Sequence, residues 1–268
     1  MSQGEEMSFL DHLEALRWHL LRSSAAVVVF AIVAFFAKDF VFHEVILGPS
    51  RVDFWTFRKL CELGEYIGSD ALCINSLDFS LQSRQMSGQF TMHISSSILI
   101  GLICAFPYAF WEVWRFISPG LYPKERRLVR GITFYVSLLF LAGILFGYYI
   151  AAPLSINFLA DYKLDPSIQN QFDITSYIGT LSMIVLSSGL MFQLPIVVFF
   201  LSKAGIVTPR LMRNYRRHAI IVILIVAAVL TPPDVFSQVL ISLPLLFLYE
   251  MSIFISAYIE KKRTLSNE

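Results

Sequence analysis

Charge is scarce in this chain. Asp, Glu, Lys and Arg supply 15% of 268 residues and nearly cancel, leaving a formal net charge of +1. Overall charge therefore gives no sign of a polyanionic partner, and no nucleic-acid partner is expected. Motifs are scarce too. The sequence has no GxxxxGK[ST] phosphate loop, no HExxH and no GxSxG. Work done by this protein is expected to be driven by something other than its own nucleotide hydrolysis. No metal site, cofactor or enzyme activity is called for. Only three cysteines occur, Cys61, Cys73 and Cys104. There is no internal repeat and no low-complexity tract. What abounds is apolar surface: 56% of the residues are hydrophobic. That departs from the soluble pattern toward an integral membrane protein. The first apolar run begins near residue 20, follows a charged segment and has no small-residue cleavage site behind it. A cleaved signal peptide is not expected.

The pattern predicts an all-α integral membrane protein, a single polytopic domain of six transmembrane helices. A short amphipathic helix opens it over residues 1–19. Ser8 and Asp11 fit a capping box, and Leu10, Leu13, Leu16 and Leu20 recur at helical spacing. Trp18 and His19 suit the headgroup level. The spans are roughly Leu20–Phe40, Gln89–Trp111, Val129–Ala151, Ser176–Leu201, His218–Leu230 and Val235–Tyr258. Pro153 is read as closing the third. Residues 42–87 form a long loop read as polar, aromatic and irregular. Loops at 112–128 and 202–217 lie on the opposite side.

Six spans put both termini on one side, and cationic residues choose it. Fifteen Lys and Arg fall on the side of the termini and six on the other. By the positive-inside rule the termini and the loops 112–128 and 202–217 are cytoplasmic. Cys61 and Cys73 share the long outer loop. Paired, they would staple it by roughly 3 kcal/mol in the chain-entropy model; the alternative is two free thiols.

Spans 5 and 6 read as short. His218–Leu230 is 13 residues, or about 20 Å of helix against a hydrocarbon core of roughly 30 Å. Span 6 carries Ser237, Gln238 and Ser242 in its outer half, with Pro244 as a kink. Such spans are either simple mismatch or a thinned, polar spot where partners dock. Gln193, just before Pro195, sits near the middle of span 4 and reads either as an interhelical hydrogen bond or as part of that polar wall. Glu250 within span 6 must be protonated, paired or wet. His93 and Glu112 lie near span ends and read as solvated. The turn Thr231-Pro232-Pro233-Asp234 is tight; Asp234 either caps span 6 or lends its charge to partner docking. Pro49 joins Gln193, Asp234 and Gln238 as a candidate docking position.

The segment Phe116–Arg127, FISPGLYPKERR, stands between two apolar runs with two prolines, one carboxylate and three cationic residues. Guanidinium pairs need carboxylates in bidentate geometry, and Glu125 offers one; its simpler role is a local ion pair with Lys124 or Arg126. His12-Leu13-Glu14-Ala15-Leu16-Arg17 resembles the HLxELR signature of the TatC family, the signal-recognition subunit of twin-arginine translocases. Trp114–Tyr122 with Lys124-Glu125-Arg126-Arg127 resembles that family's first cytoplasmic loop. Leu230–Gln238 resembles its last outer turn, and Phe192-Gln193-Leu194-Pro195 its polar site in span 4. The resemblance covers nearly the whole chain. It implies a receptor for paired-arginine signal peptides, embedded in lipid in the bacterial inner membrane. It also implies export of folded proteins driven by the proton-motive force. The implied partners are TatA- and TatB-type single-span subunits, in hetero- and homo-oligomers. The implied signal-binding residues are Glu14, Arg17, Phe116, Pro119, Glu125, Arg126 and Arg127. One departure stands out: the signature's glutamate is Ala15 here, and Glu14 or Asp11 would have to replace it. A secondary transporter of a small solute is the competing reading. It predicts paired halves with interrupted helices at matching positions, which the sequence lacks.

Overall fold

The computed structural model describes residues 9–68, 73–74, 76–77, 79–117, 129–165, 167–230 and 235–265. They are mostly helical. Among the described residues, five helical runs are long and apolar enough to cross a membrane: Glu14–Phe36, Gly88–Ile117, Gly131–Asp161, Ile174–Lys203 and Gln238–Lys262. In lipid every backbone polar group must be satisfied internally, and an uninterrupted helix does this.

The first run lies in α1 (Phe9–Phe36), where the amphipathic opening and the first span are one 28-residue helix. Helical turns over Lys38–Phe40, Val41–Ile46 and Gly48–Ser50 follow. The loop read as irregular then folds into α2 (Trp55–Ile67) and a strand, β1 (Phe79–Gln82). Gly48 and Pro49 lie buried in the turn at its start. Downstream, α2 buries Thr56, Phe57 and Gly64 on one face and ends at Gly68 with φ 74°, the left-handed cap that glycine adopts freely.

The second run is α3 (Gly88–Ile117), with Pro107 inside it. The third comprises α4 (Val129–Phe146), a π-turn over Gly147–Ala151, and α5 (Ala152–Asp161). The sequence reads Pro153 as the end of this span, yet the helix continues through it. The proline sits in the first turn of α5, where a missing N–H costs nothing. Strand β2 (Asn170–Asp173) pairs in parallel with β1, from Phe79 opposite Asn170 to Gln82 opposite Asp173.

The fourth run is α6 (Ile174–Met191) and α7 (Leu194–Lys203), interrupted at Phe192-Gln193 ahead of Pro195. Then come α8 (Pro209–Asn214), α9 (Arg216–Leu230) and α10 (Val235–Leu265). Helix α9, with 15 residues, reaches about 22 Å and is short, as expected. Helix α10 is not: it has 31 residues and runs through Pro244. Its apolar run continues into the charged segment Glu260-Lys261-Lys262, which is itself helical.

The chain divides into two compact units, Met1–Lys38 with His93–Leu138 and Asp39–Met92 with Leu139–Glu268. In the first, α1 and α3 touch backbone to backbone. A Cβ on Gly101 would lie 2.7 Å from both the Ala31 nitrogen and the Val27 oxygen. His93 stacks on Phe35 at 4.1 Å, with Nε2 3.0 Å from the Phe35 carbonyl. The solvated reading of His93 is therefore replaced by a packed one at the end of α1.

In the second unit the corresponding close approach joins α4 to α6. A Cβ on Gly143 would meet the Ser188 oxygen at 2.5 Å and the Gly189 Cα at 2.8 Å. Small residues allow such approach where lipid removes any hydrophobic drive between helices. Tyrosines then tie the turns after α1 to the helices. Tyr148 donates to the Val45 carbonyl and Tyr177 to the Ile46 carbonyl, both at 2.8 Å. Thr56 donates to the carbonyl of Tyr149. Asp173 caps α6, accepting from the Thr175 amide at 2.8 Å and, through its other oxygen, from the Arg84 amide at 3.0 Å. The Thr175 hydroxyl also donates to Asp173 Oδ1, and this bond first, then the two amides, holds the carboxyl below the usual carboxylate range. At the far end, Val198, Met212 and Ile253 form a small core with Val207 and Tyr249.

The two glycine contacts generate a direct test. Gly101→Val and Gly143→Val should each destabilise the protein by about 1–3 kcal/mol through overpacking, read by thermal unfolding in detergent. Gly131 has nothing within 4 Å of an added Cβ. Gly131→Ala should be neutral or stabilising, by up to about 1 kcal/mol.

Candidate functional site

The first unit contains both sequence signatures, the N-terminal one on α1 and the loop that follows α3. Where α1 and α3 meet at that end, an ionisable cluster forms. Glu112 is 1% exposed. His19 Nδ1 lies 2.5 Å from its Oε2, donating to the carboxylate, and Tyr108 donates to Oε1 at 2.9 Å. Arg115 lies 3.9 Å from the same Oε1, with its guanidinium 4.8 Å from the centre of the Trp111 ring. The His19 ring is 6.1 Å from that of Phe116.

The solvated reading of Glu112 is thus wrong. A carboxylate buried in a membrane helix needs a partner, and α1 supplies it. Glu112 and His19 stand 93 positions apart in the chain. No local pattern announces such a pair; a histidine and a glutamate at matching depths on neighbouring apolar spans were the signal available.

Helix geometry sorts the α1 residues. Ala15 and His19 are one turn apart, share a face and are partly buried. Glu14 and Trp18, rotated by about 100 degrees, are exposed, and so is Arg17. Glu14 therefore does not occupy the face that looks toward Glu112. Phe116 is half-buried beside His19. Pro119, Glu125, Arg126 and Arg127 lie outside the described residues, as does Asp234. The side chains of Ser8 and Asp11 do so too.

The remaining candidates belong to the second unit. Gln193 sits at the break between α6 and α7, where its carbonyl accepts from the amides of Ile196 and Val197 at 3.0 and 3.1 Å. Gln238 donates to the Leu224 carbonyl at 3.1 Å, joining α10 to α9. Glu250 is paired, at 2.7 Å from Arg216, with both side chains half-exposed. Pro49 is fully buried in its turn and presents no surface to a partner. Cys61 and Cys73 form a disulfide. Among the described residues no group of three His, Cys, Asp or Glu could hold a metal ion.

Comparison with known proteins agrees with this picture along nearly the whole chain. The family described as "Sec-independent protein translocase protein (TatC)" matches residues 11–244. A "Sec-independent protein translocase protein TatC" of Blattabacterium is 36% identical over 264 residues, covering 98% of this chain and 99% of that one. "Sec-independent protein translocase protein TatCy" of Bacillus subtilis is 32% identical over 252 residues, covering 94% and 89%. A crystal structure described as "Twin Arginine Translocase Receptor- TatC in DDM" is 30% identical with a TM-score of 0.71, covering 91% of this chain and 99% of that one. The chain is a membrane protein belonging to the TatC family of twin-arginine protein translocase subunits.

Proposed function

We propose that this chain is the receptor subunit of a twin-arginine translocase. It binds signal peptides bearing paired arginines and nucleates export of folded proteins driven by the proton-motive force. The observation that carries this reading is the family match over residues 11–244, joined to the likeness with crystal structures described as a twin-arginine translocase receptor. The chemistry is consistent. Glu125 supplies a carboxylate for bidentate guanidinium binding, flanked by Arg126 and Arg127 and preceded by Phe116 and Pro119. Arg17 stands on the exposed face of α1, as does Glu14, which takes over from the carboxylate absent at Ala15.

The proposed setting is the bacterial inner membrane, with six spans, α9 among them, and both termini cytoplasmic. The 15-to-6 cationic split supports that orientation. The Cys61–Cys73 disulfide supports it independently, because such bonds persist on the oxidising side. TatA- and TatB-type subunits dock along the second unit, with Gln193 and Gln238 as polar positions among its apolar helices and Asp234 as a further candidate. Pro49 contributes from beneath, by fixing the buried turn.

Two measurements test this. In a Cys104→Ser background, Lys163→Cys should be labelled in intact cells by a membrane-impermeant thiol reagent and Lys124→Cys should not; the reverse would invert the orientation. Glu125→Ala should weaken binding of a fluorescent paired-arginine signal peptide by tenfold or more, equal to about 1.4 kcal/mol, at unchanged levels of inserted protein. Affinity equal to that of the unmodified chain would remove Glu125 from the site.

A further inference from the structure

Three contacts set the register of α1 against α3 within the first unit. Phe35 meets His93, Ala31 meets Gly101, and His19 meets Glu112. Each step toward the start of α1 is matched by one toward the end of α3, so the helices run antiparallel. Continuing one further turn brings Ala15 level with Phe116. The start of α1 and the root of the FISPGLYPKERR loop are therefore neighbours in this unit, and the His19–Glu112 contact is the nearest of the three to both.

The rest of α1 gives it little hold. Only 6% of its apolar window is buried within the protein. An apolar face against lipid resists neither sliding nor rotation of one helix past another. A short hydrogen bond between a buried carboxylate and an imidazole does resist both, because moving either partner strands a charge in an apolar setting. The second carboxylate oxygen is fixed by Tyr108 from one turn earlier on α3, so Glu112 has one orientation available to it.

We propose that the His19–Glu112 pair is a positioning clamp for signal-peptide recognition. It fixes the depth and rotation of α1 against α3, and so sets how the start of α1 sits beside the end of α3 at Phe116, from which the loop departs. This rests on the reading that those two segments form the signal-binding surface. Neither clamp residue touches the peptide. Both act through the placement of others, Arg17 and Phe116 among them.

The test uses the full chain in lipid nanodiscs. Nitroxides at Trp18→Cys and Val113→Cys, both exposed positions of the first unit, report the distance between the helices in a Cys104→Ser background. Separately, with those two positions native, titration with a fluorescent paired-arginine signal peptide reports affinity, against a paired-lysine control. His19→Ala and Glu112→Gln should each broaden the distance distribution and weaken paired-arginine binding by about tenfold. The double variant should be no weaker than the weaker single, since both changes open one clamp. His19→Arg, which keeps a cation within reach of the carboxylate, should retain the narrow distribution and most of the affinity. Glu112→Gln preserves shape but removes the charge on which the clamp depends, so it carries the test if His19→Ala fails to insert. An unchanged distance distribution in Glu112→Gln would overturn the clamp. So would broadening with no loss of affinity, or additive losses in the double variant. Failure of the unmodified chain to prefer paired arginine would instead overturn the functional reading, and the positioning claim with it. The distance arm would still show whether the pair holds the helices.

Discussion

A buried carboxylate in an apolar helix cannot stand alone, and this fold places its polar groups by that constraint. Glu112 is held by His19 and Tyr108, Glu250 by Arg216, and the amide of Gln238 by a carbonyl of the neighbouring helix. Each partnership joins two segments that lipid alone would leave free to slide. For the buried Glu112 the cost of breaking its contact is that of a charge left unpaired in hydrocarbon, which exceeds what the contact contributes when made. The same rule explains the backbone. The π-turn at Gly147–Ala151 and the break at Phe192-Gln193 both precede a proline, so the missing donor falls where a helix starts and needs none.

Between these polar ties the helices pack through absence of side chain. Gly101 and Gly143 admit a facing backbone to within van der Waals contact. The result differs in the two units. The second, with the stapled segment between α1 and α3, the end of α4 and α5 to α10, is knitted by tyrosine-to-carbonyl bonds, a capped α6 and a two-stranded sheet. In the first, most of α1 lies open to lipid. A recognition surface resting on such a lightly held helix depends on whatever fixes that helix, which gives the His19–Glu112 contact its proposed importance.

Much of the architecture was legible in the sequence. Apolar runs and their flanking charges located the long helices, because in a membrane hydropathy and helix length are the same constraint. The shortness of α9 was equally visible. Element ends were less so. Pro153 reads as a stop, yet the helical run continues through it, because the proline falls in the first turn after the π-turn. The segment between α1 and α3 hid α2 and β1 because their partners, Tyr149 and the strand at Asn170–Asp173, are distant in the chain. Glu112 was misread for the same reason. Burial is a property of what packs alongside, and His19 is invisible from Glu112 in one dimension.

The proposed recognition surface joins the start of α1 to the loop after α3, and it is reached most directly by photo-crosslinking. A paired-arginine signal peptide with a photoreactive residue beside the arginines would be bound to the intact chain in membranes, irradiated, and the adducts mapped. The account predicts adducts on residues 9–19 and 116–127, competed by unlabelled peptide and lost when the arginines become lysines. Adducts confined to residues 139–265, or equally strong with the lysine peptide, would contradict it.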